Sequence, residues 1–215
     1  MMLANKVNDL ELEDNVTDMI SFEHTYQNYF VGVVDVVNST QNIAQLSRDN
    51  ASTYYSVFLN TVGYVIQNNG GKIVKNIGDG ILFYFPKHAT INAENSYIPL
   101  DCGTKILGSR KMINDIFKKR KIPSIHYRIS MDYGPLMMAT STVSSCRDIF
   151  GPTVNLCSKI NHIAKPDQLV IGSDLFQIVK QSKKYIFDEV TEFQSALKQN
   201  YPVYSVDTVK KLQRV

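Results

Sequence analysis

The sequence predicts an α+β sandwich in which helices cover a mainly antiparallel sheet. Three observations support this class. A nearly continuous apolar, β-branched run over residues 29–37 indicates a buried strand. A tight-turn tripeptide at residues 78–80 lies between two apolar stretches, which is the pattern of a hairpin. Apolar residues also recur with helical spacing before and after that hairpin.

The chain begins with a polar, acidic lead-in segment, residues 1–25, with room for a short helix. One large domain, residues 26–210, follows it. The start of the chain contains polar residues that exclude a signal peptide or a membrane span, namely Asn5, Asp9, Glu11, Glu13 and Asp14. The sequence therefore predicts a cytoplasmic protein without a membrane span.

Turn residues and capping residues divide the first half of the domain. Ser39 or Thr40 is placed to cap a helix, and the glycines at residues 70–71 are placed to end it. The predicted elements are a strand at 29–37, one helix from residue 39 or 40 to 66, hairpin strands at 72–77 and 81–85, and a helix over about 100–119.

The second half continues with shorter elements. Its predicted elements are a strand at 125–131, a turn at Gly134-Pro135, a return strand at 136–140, a helix from Pro152 to about 164, and strands near 169–171, 185–190 and 203–206 around a small helix from Ser173. The order β-α-β-β-α-β, followed by another helix and further strands, predicts a ferredoxin-like core with additional C-terminal α and β elements.

Composition limits the classes of partner. The net charge of +3 over 215 residues is too small to indicate a nucleic-acid partner. The basic run at residues 118–121 fits a solvated helix C-terminus, where cations suit the helix dipole. The cysteines are odd in number and far apart, which excludes a disulfide framework and suits a reducing compartment; they are Cys102, Cys146 and Cys157.

Two carboxylates stand in positions that call for an explanation. Asp35 interrupts an apolar strand, where an ionised carboxylate is costly unless it is paired or binds metal. Asp79 lies in the Gly-Asp-Gly turn, which is a good turn sequence in its own right. In this topology the first strand lies beside the hairpin. The two carboxylates can therefore converge on Mg²⁺ or Mn²⁺ and leave room for substrate phosphates.

The peptide Asn38-Ser39-Thr40 follows Asp35 and opens a helix. Free N–H groups at a helix start can hold a triphosphate, although every capped helix offers the same groups.

Several blocks of the sequence resemble the catalytic domain of class III adenylate and guanylate cyclases. The segment Phe30-Val-Gly-Val-Val-Asp35-Val-Val-Asn-Ser-Thr40 resembles the first metal-binding strand of that family. Gly71-Lys-Ile-Val-Lys75-Asn-Ile-Gly78-Asp79-Gly80 resembles its second metal-site hairpin. Asp148-Ile-Phe-Gly151-Pro-Thr-Val-Asn155-Leu-Cys-Ser-Lys159-Ile resembles its last catalytic block. The likeness extends from about residue 29 to residue 206, with the blocks in the family's order.

The resemblance implies a mechanism with two divalent metal ions. Asp35, Val36 and Asp79 would be the metal-site residues, and the helix start at Asn38, Ser39 and Thr40 would contact the triphosphate. The metals, Mg²⁺ or Mn²⁺, would activate the ribose 3′-hydroxyl of ATP and neutralise the leaving pyrophosphate.

The resemblance also implies which residues recognise the base. Lys75 can donate to adenine N1, and Asp148 can accept from the 6-amino group; guanine inverts this pattern of donors and acceptors. The pair therefore favours ATP over GTP. From the residues alone, Lys75 also fits a solvent-facing strand lysine, and Asp148 fits a loop aspartate near a helix start.

The remaining implied residues act on the ribose and the phosphates. Asn155 matches the residue that orients the ribose, although alone it is simply a polar position in a first helical turn. Lys159 stands where the family has an arginine that stabilises the transition state, and lysine lacks the rigid fork of the guanidinium. Lys198 lies near a triphosphate-binding lysine of the family and equally fits a solvated surface lysine.

We therefore expect an adenylate cyclase that converts ATP to 3′,5′-cyclic AMP and pyrophosphate, slowly because of Lys159. In the resemblance, each chain supplies halves of two active sites to a head-to-tail homodimer. The alternative is a weakened cyclase-fold domain that binds nucleotide as a sensor or interaction module. A different metal-dependent nucleotidyl transferase would leave the base-reading pair unexplained.

Overall fold

The computed structural model of the chain describes residues 20–23, 25–86, 96–141, 147–193 and 200–209. Within these ranges the strands are β1 (Ile20–Phe22), β2 (Gln27–Val36), β3 (Lys72–Ile77), β4 (Gly80–Phe85), β5 (Tyr127–Ser141), β6 (Arg147–Phe150), β7 (Leu169–Gly172), β8 (Tyr185–Phe193) and β9 (Tyr201–Thr208). The helices are α1 (Ser39–Ile43), α2 (Arg48–Asn68), α3 (Ile98–Lys119), α4 (Pro152–Asn161) and α5 (Ser173–Val179).

The main sheet confirms the predicted fold class. Its strand order is β3-β4-β2-β5-β7-β9-β8, and β1 and β6 both pair with β5. The strands β3, β4, β2 and β5 are antiparallel neighbours, whereas β5 and β7 are parallel. The four strands β2, β3, β4 and β5 form the ferredoxin-like core together with helices α1 to α3, which lie between them in the chain. β7, α5, β8 and β9 are the additional C-terminal elements.

The strand β5 runs straight through the predicted turn at Gly134-Pro135, so that prediction is wrong. Residues 134–136 pair with residues 27–29 of β2 and extend the ladder. The glycine serves the packing of α4 instead, because a Cβ atom on Gly134 would lie 2.6 Å from Thr153 Oγ1. The Thr153 hydroxyl also donates to the Pro135 carbonyl at 2.9 Å.

The predicted single helix after β2 is two helices. α1 has only five residues and begins after Asn38, which is left-handed (φ 56°) and provides no side-chain cap. The prediction that Ser39 or Thr40 caps a long helix is therefore wrong. Ser47 starts α2 afresh, since its Oγ accepts from the Asn50 N–H at 3.3 Å.

Two apolar layers enclose the sheet. The larger core packs α2, α3 and α5 against one face, with the rings of Tyr54 and Phe117 stacked at 5.1 Å. A smaller core on the other face joins β2 and β4 to the second half of β5, to β6 and to α4, through residues such as Val33, Met138 and Ile149. None of the helices in the described ranges has both the length and the apolar character needed to cross a membrane.

The strand β1 belongs to the predicted lead-in segment. It forms an antiparallel pair with the last residues of β5, and the Glu23 N–H donates to the Met138 carbonyl at 2.9 Å. The earlier residues 1–19, in which a short helix was expected, lie outside the described ranges.

Candidate active site

Asp35 lies next to the last residue of β2 and is held by an arginine. The five residues before it are buried, and the register places Asp35 opposite Arg128 on β5. Arg128 donates from Nε at 3.1 Å and from Nη2 at 2.8 Å, both to Asp35 Oδ2. This ion pair explains how the apolar strand tolerates a carboxylate.

The arginine was not among the predicted site residues. Its signal in the sequence resembles that of Asp35, because each is a charged residue within a predicted strand. Arg128 also reaches the end of α4, where its Nη2 lies 3.0 Å from His162 Nδ1.

Asp79 occupies the turn between β3 and β4, and this turn packs against β2 beside Asp35. Val34 pairs with Ile81, so Gly80 lies level with Asp35. A Cβ atom on Gly80 would lie 2.5 Å from the Val34 carbonyl oxygen and 3.5 Å from Asp35 Cα. Only glycine allows this approach, which brings the backbone of the predicted pair, Asp35 and Asp79, together.

The oxygen atoms at this end of the site fit a divalent cation. Asp79 Oδ2 is buried and has no hydrogen-bond partner within the described residues. Arg128 uses only Oδ2 of Asp35, which leaves Oδ1 for another ligand. Val36 can contribute only its backbone carbonyl. Carboxylate and carbonyl oxygens are the ligands that Mg²⁺ and Mn²⁺ prefer.

The protein ligand set would be small. The described ranges contain no cluster of three or more histidine, cysteine, aspartate or glutamate side chains arranged to hold a metal. Substrate oxygens and water would therefore complete the coordination, as is common for Mg²⁺. We call this region, Asp35, Val36, Asp79 and Arg128, the metal end of the site.

Asn38, Ser39 and Thr40 follow the metal end directly and form the start of α1. Asn38 and Thr40 are exposed, and Ser39 is half-buried. The role in triphosphate binding stays a prediction, and the five-residue length of α1 limits what its dipole can add.

Lys75 and Asp148 meet although they are far apart in the sequence. Lys75 on β3 forms an ion pair with Asp148 on β6, and Asp148 Oδ1 also accepts from the Ile149 N–H at 2.8 Å. The pair borders a cleft of about 260 Å³. The lining residues are Ile20, Val74, Lys75, Ala139, Ser141, Arg147, Asp148 and Phe150. We call this region the base end.

Asn155 and Lys159 are exposed on α4 and lie one helical turn apart. The Lys159 ammonium has no hydrogen-bond or ion-pair partner within the described residues, so it is available to an anion. The structure thus places both residues on one side of the helix, as their spacing predicts. Lys198 lies outside the described residues.

A buried polar network fixes α4 against the strands that carry the metal end. Asn161 Nδ2 donates to the Val33 carbonyl at 3.1 Å and to Ser130 Oγ at 3.2 Å. The Ser130 hydroxyl in turn donates to the Cys157 carbonyl at 2.8 Å. Burial raises the pKa of the Cys157 thiol to about 12, so it stays protonated. No sequence pattern indicated this network, because its members meet only in the folded chain.

Comparison with known proteins identifies the family of the chain. The sequence profile described as the adenylate and guanylate cyclase catalytic domain matches residues 22–208. An adenylate cyclase of Streptomyces coelicolor is 23% identical over 143 residues, which are 66% of this chain and 32% of that protein. The chain therefore spans about a third of the length of that relative.

Solved structures of cyclases share the fold. The adenylyl cyclase CyaB from P. aeruginosa matches with a TM-score of 0.75 at 16% identity, over 85% of this chain and 96% of that one. The guanylyl cyclase Cya2 matches with a TM-score of 0.75 at 17% identity, over 86% and 94%. The guanylate cyclase domain of RhGC from Catenaria anguillulae, solved with GTP, matches with a TM-score of 0.73 at 18% identity, over 85% and 97%. The profile covers most of the sequence, and the chain belongs to the adenylate and guanylate cyclase catalytic domain family.

Proposed function

We propose that this domain is an adenylate cyclase that forms 3′,5′-cyclic AMP and pyrophosphate from ATP in a homodimer. The observation that carries the choice of ATP is the ion pair of Lys75 and Asp148 in the lining of a cleft. An ammonium donor and a carboxylate acceptor, side by side, complement N1 and the 6-amino group of adenine. Guanine would present a donor, N1–H, to the ammonium and an acceptor, O6, to the carboxylate. Each buried mismatch costs about 1–3 kcal/mol of binding free energy.

The reaction joins the ribose 3′ oxygen to the α-phosphorus and breaks the bond from that phosphorus to pyrophosphate. The 3′-hydroxyl proton leaves to solvent. Divalent cations held by Asp35, Asp79 and the Val36 carbonyl would supply Lewis-acid activation of the hydroxyl and would neutralise phosphate charge. Arg128 keeps Asp35 in place through Oδ2 and leaves Oδ1 for the cation.

The helix α4 would supply the remaining groups. The Asn155 amide can orient the ribose, and the Lys159 ammonium can face negative charge that develops on the α-phosphate. The start of α1 (Asn38, Ser39 and Thr40) and Lys198 are proposed to contact the triphosphate. The network of Ser130, Cys157 and Asn161 fixes the helix relative to β2, so these groups depend on it for position.

The dimer is part of the proposal. Each chain would offer its metal end to one nucleotide and its base end, with α4, to the other, around a two-fold axis. The alternative, a domain that binds nucleotide without turnover, rests on one observation: Lys159 replaces the two-pronged arginine expected at that position.

The test is to incubate the purified chain with ATP or GTP and with Mg²⁺ or Mn²⁺, and to quantify cyclic nucleotide and pyrophosphate. Cyclic AMP and pyrophosphate in equal amounts, at a rate well above that of cyclic GMP, is the expected result. Asp35→Asn should lower cyclic AMP formation on the order of 10³-fold, while Asp115→Asn, an exposed change on α3, should leave it unaltered.

Two outcomes contradict the proposal. A preference for GTP would refute the role of Lys75 and Asp148 in base selection. Saturable ATP binding with no cyclic product from either nucleotide would favour the sensor alternative.

A further inference from the structure

The strand β1 lies at the edge of the base end, where no role is assigned to it. The register pairs Ile20 with Ser141 and Phe22 with Ala139 on β5. On its opposite edge the same stretch of β5 pairs with β6, which places Asp148 opposite Ala139. Directly paired residues of antiparallel strands point to the same face of a sheet. Phe22, Ala139 and Asp148 therefore form one row on one face, with the smallest side chain in the middle.

Three apolar side chains stand on this face beside the ion pair. Ile20, Phe22 and Phe150 are all exposed, with Phe150 at 38%. The rings of Phe22 and Phe150 meet edge to face, with their centroids 5.4 Å apart. The Lys75 ammonium lies 6.0 Å from the centroid of Phe150. The apolar cluster thus approaches the polar pair through Phe150, and Ile20 and Phe150 border the same cleft as Lys75 and Asp148.

This combination of apolar side chains and a hydrogen-bonding pair complements a purine base. A purine presents hydrogen-bonding atoms at its edge and a flat apolar face on either side, and aromatic or aliphatic side chains pack against that face. The cleft of about 260 Å³ is slightly smaller than the roughly 300–1,000 Å³ that drug-sized ligands occupy, which suits a base rather than a whole nucleotide.

We propose that β1, together with the end of β6, supplies an apolar wall of the base site. Ile20 and Phe150 contact the face of the purine, and Phe22 is a positioning residue that holds the ring of Phe150. This inference rests on the proposed nucleotide substrate and adds the strand β1 to the base site. The family match begins at residue 22, so Ile20 precedes it.

The wall and the ion pair have different effects on specificity. Apolar packing does not distinguish adenine from guanine, because both purines have the same kind of face. Removing the wall should therefore weaken the binding of ATP and GTP analogues by the same factor. Removing Lys75 should instead change their ratio, because only the edge of the base differs.

The experiment measures binding of 3′-deoxy-ATP and 3′-deoxy-GTP, which lack the reacting hydroxyl, by calorimetry with Mg²⁺ present. Ile20→Ala and Phe150→Ala should each raise both dissociation constants by about tenfold. Phe22→Ala should give a smaller increase. Ser21→Ala is the matched control, since Ser21 alternates to the other face of β1, and its constants should equal those of the unaltered chain.

The results separate this inference from the proposed function. If the unaltered chain binds both analogues and the Ile20 and Phe150 variants bind them equally well, the wall is refuted while cyclase activity stands. Unchanged binding with weaker dimerisation in sedimentation would also refute it and would assign the cluster to the dimer contact. If the variants lose affinity but the unaltered chain makes no cyclic nucleotide from ATP, the wall stands and the catalytic proposal fails. Absence of binding to the unaltered chain refutes both.

Discussion

The metal end and the base end each join a carboxylate to a cation, but they do so with different rigidity. At the metal end, Arg128 is 21% exposed and places two hydrogen bonds on one oxygen of Asp35 between neighbouring strands of the sheet. At the base end, Lys75 is 47% exposed and reaches Asp148 with a single flexible amine. A guanidinium fork fixes its partner, whereas an ammonium can exchange one acceptor for another. The metal end is therefore preorganised, and the base end can rearrange when a ligand enters.

A second difference lies within the metal end. Asp35 is paired with Arg128, but one oxygen of Asp79 is buried without a partner in the described residues. A buried polar atom without a partner costs more folding free energy than one that is paired. The two aspartates should thus share one role in catalysis and have opposite effects on stability.

The largest expected effect comes from replacing those aspartates. Asp35→Asn and Asp79→Asn should each lower cyclic AMP formation on the order of 10³-fold, because each removes an anionic ligand. With EDTA present, Asp35→Asn should lower the free energy of unfolding by about 1–3 kcal/mol, since it leaves Arg128 without its anion. Asp79→Asn should leave it unchanged or raise it. Urea unfolding and the cyclic AMP assay measure the two effects, and equal destabilisation by both variants would contradict the comparison.

The next effect concerns base selection. In the double variant Lys75→Glu with Asp148→Asn, the acceptor faces guanine N1–H and an amide donor faces O6. The ratio of kcat/KM for ATP over GTP should fall by about 10- to 100-fold. Lys72→Glu reverses a charge on the same strand, outside the cleft, and should leave the ratio unaltered. A loss of both activities in proportion, with no change in ratio, would show that the pair does not read the base.

A smaller effect is expected at α4. Lys159→Arg restores a fork that can contact two phosphate oxygens, so kcat should rise about two- to tenfold with little change in KM. Lys165→Arg, an exposed substitution beyond the end of the helix, serves as the control. Steady-state kinetics with ATP measures the change. A decrease in kcat would mean that the lysine is matched to its site by its shape as well as its charge.

The smallest effect on activity is expected from replacing Asp132, a third carboxylate. Asp132 differs from Asp79 because its buried oxygens have hydrogen-bond partners. Asp132 is fully buried, but it accepts from the Tyr201 hydroxyl at 2.8 Å and from the Tyr133 N–H at 2.9 Å. Burial nevertheless raises its pKa from 3.8 to about 7, against the lowering effect of these hydrogen bonds.

The sign of the pH dependence follows from that raised pKa. Between about pH 4 and pH 7 the folded chain keeps a proton that the unfolded chain releases, so stability falls as the pH rises and levels off above about 7. The slope is at most about 1.4 kcal/mol per pH unit. Asp132→Asn should flatten this part of the curve in urea unfolding. An unchanged curve would show that Asp132 is ionised throughout.

Local patterns in the sequence were sufficient for the elements that form the site. The apolar run of β2, the glycine turn that carries Asp79 and the proline at the start of α4 each depend on neighbouring residues, and the structure has all three. The Lys75 and Asp148 pair was predicted only through the family resemblance, and the structure brings the two side chains together.

Features that depend on tertiary contacts were not predictable in this way. The Gly134-Pro135 pair has the composition of a turn, yet pairing with β2 and the approach of Thr153 keep it in a strand. The partnership of Arg128 with Asp35 depends on strand register. The hydrogen bonds of Asn161 depend on how α4 packs against the sheet, which no local sequence pattern specifies.

The Asp79 oxygen that has no partner among the described residues also affects the lifetime of the chain. A cation that binds there recognises the folded chain and not the unfolded one, so it draws the equilibrium towards the folded form by mass action. Proteases act on chains that open. Degradation should therefore be faster when the magnesium concentration is low. The Asp79 oxygen proposed to bind the catalytic cation would in this way also link the amount of protein to the magnesium concentration.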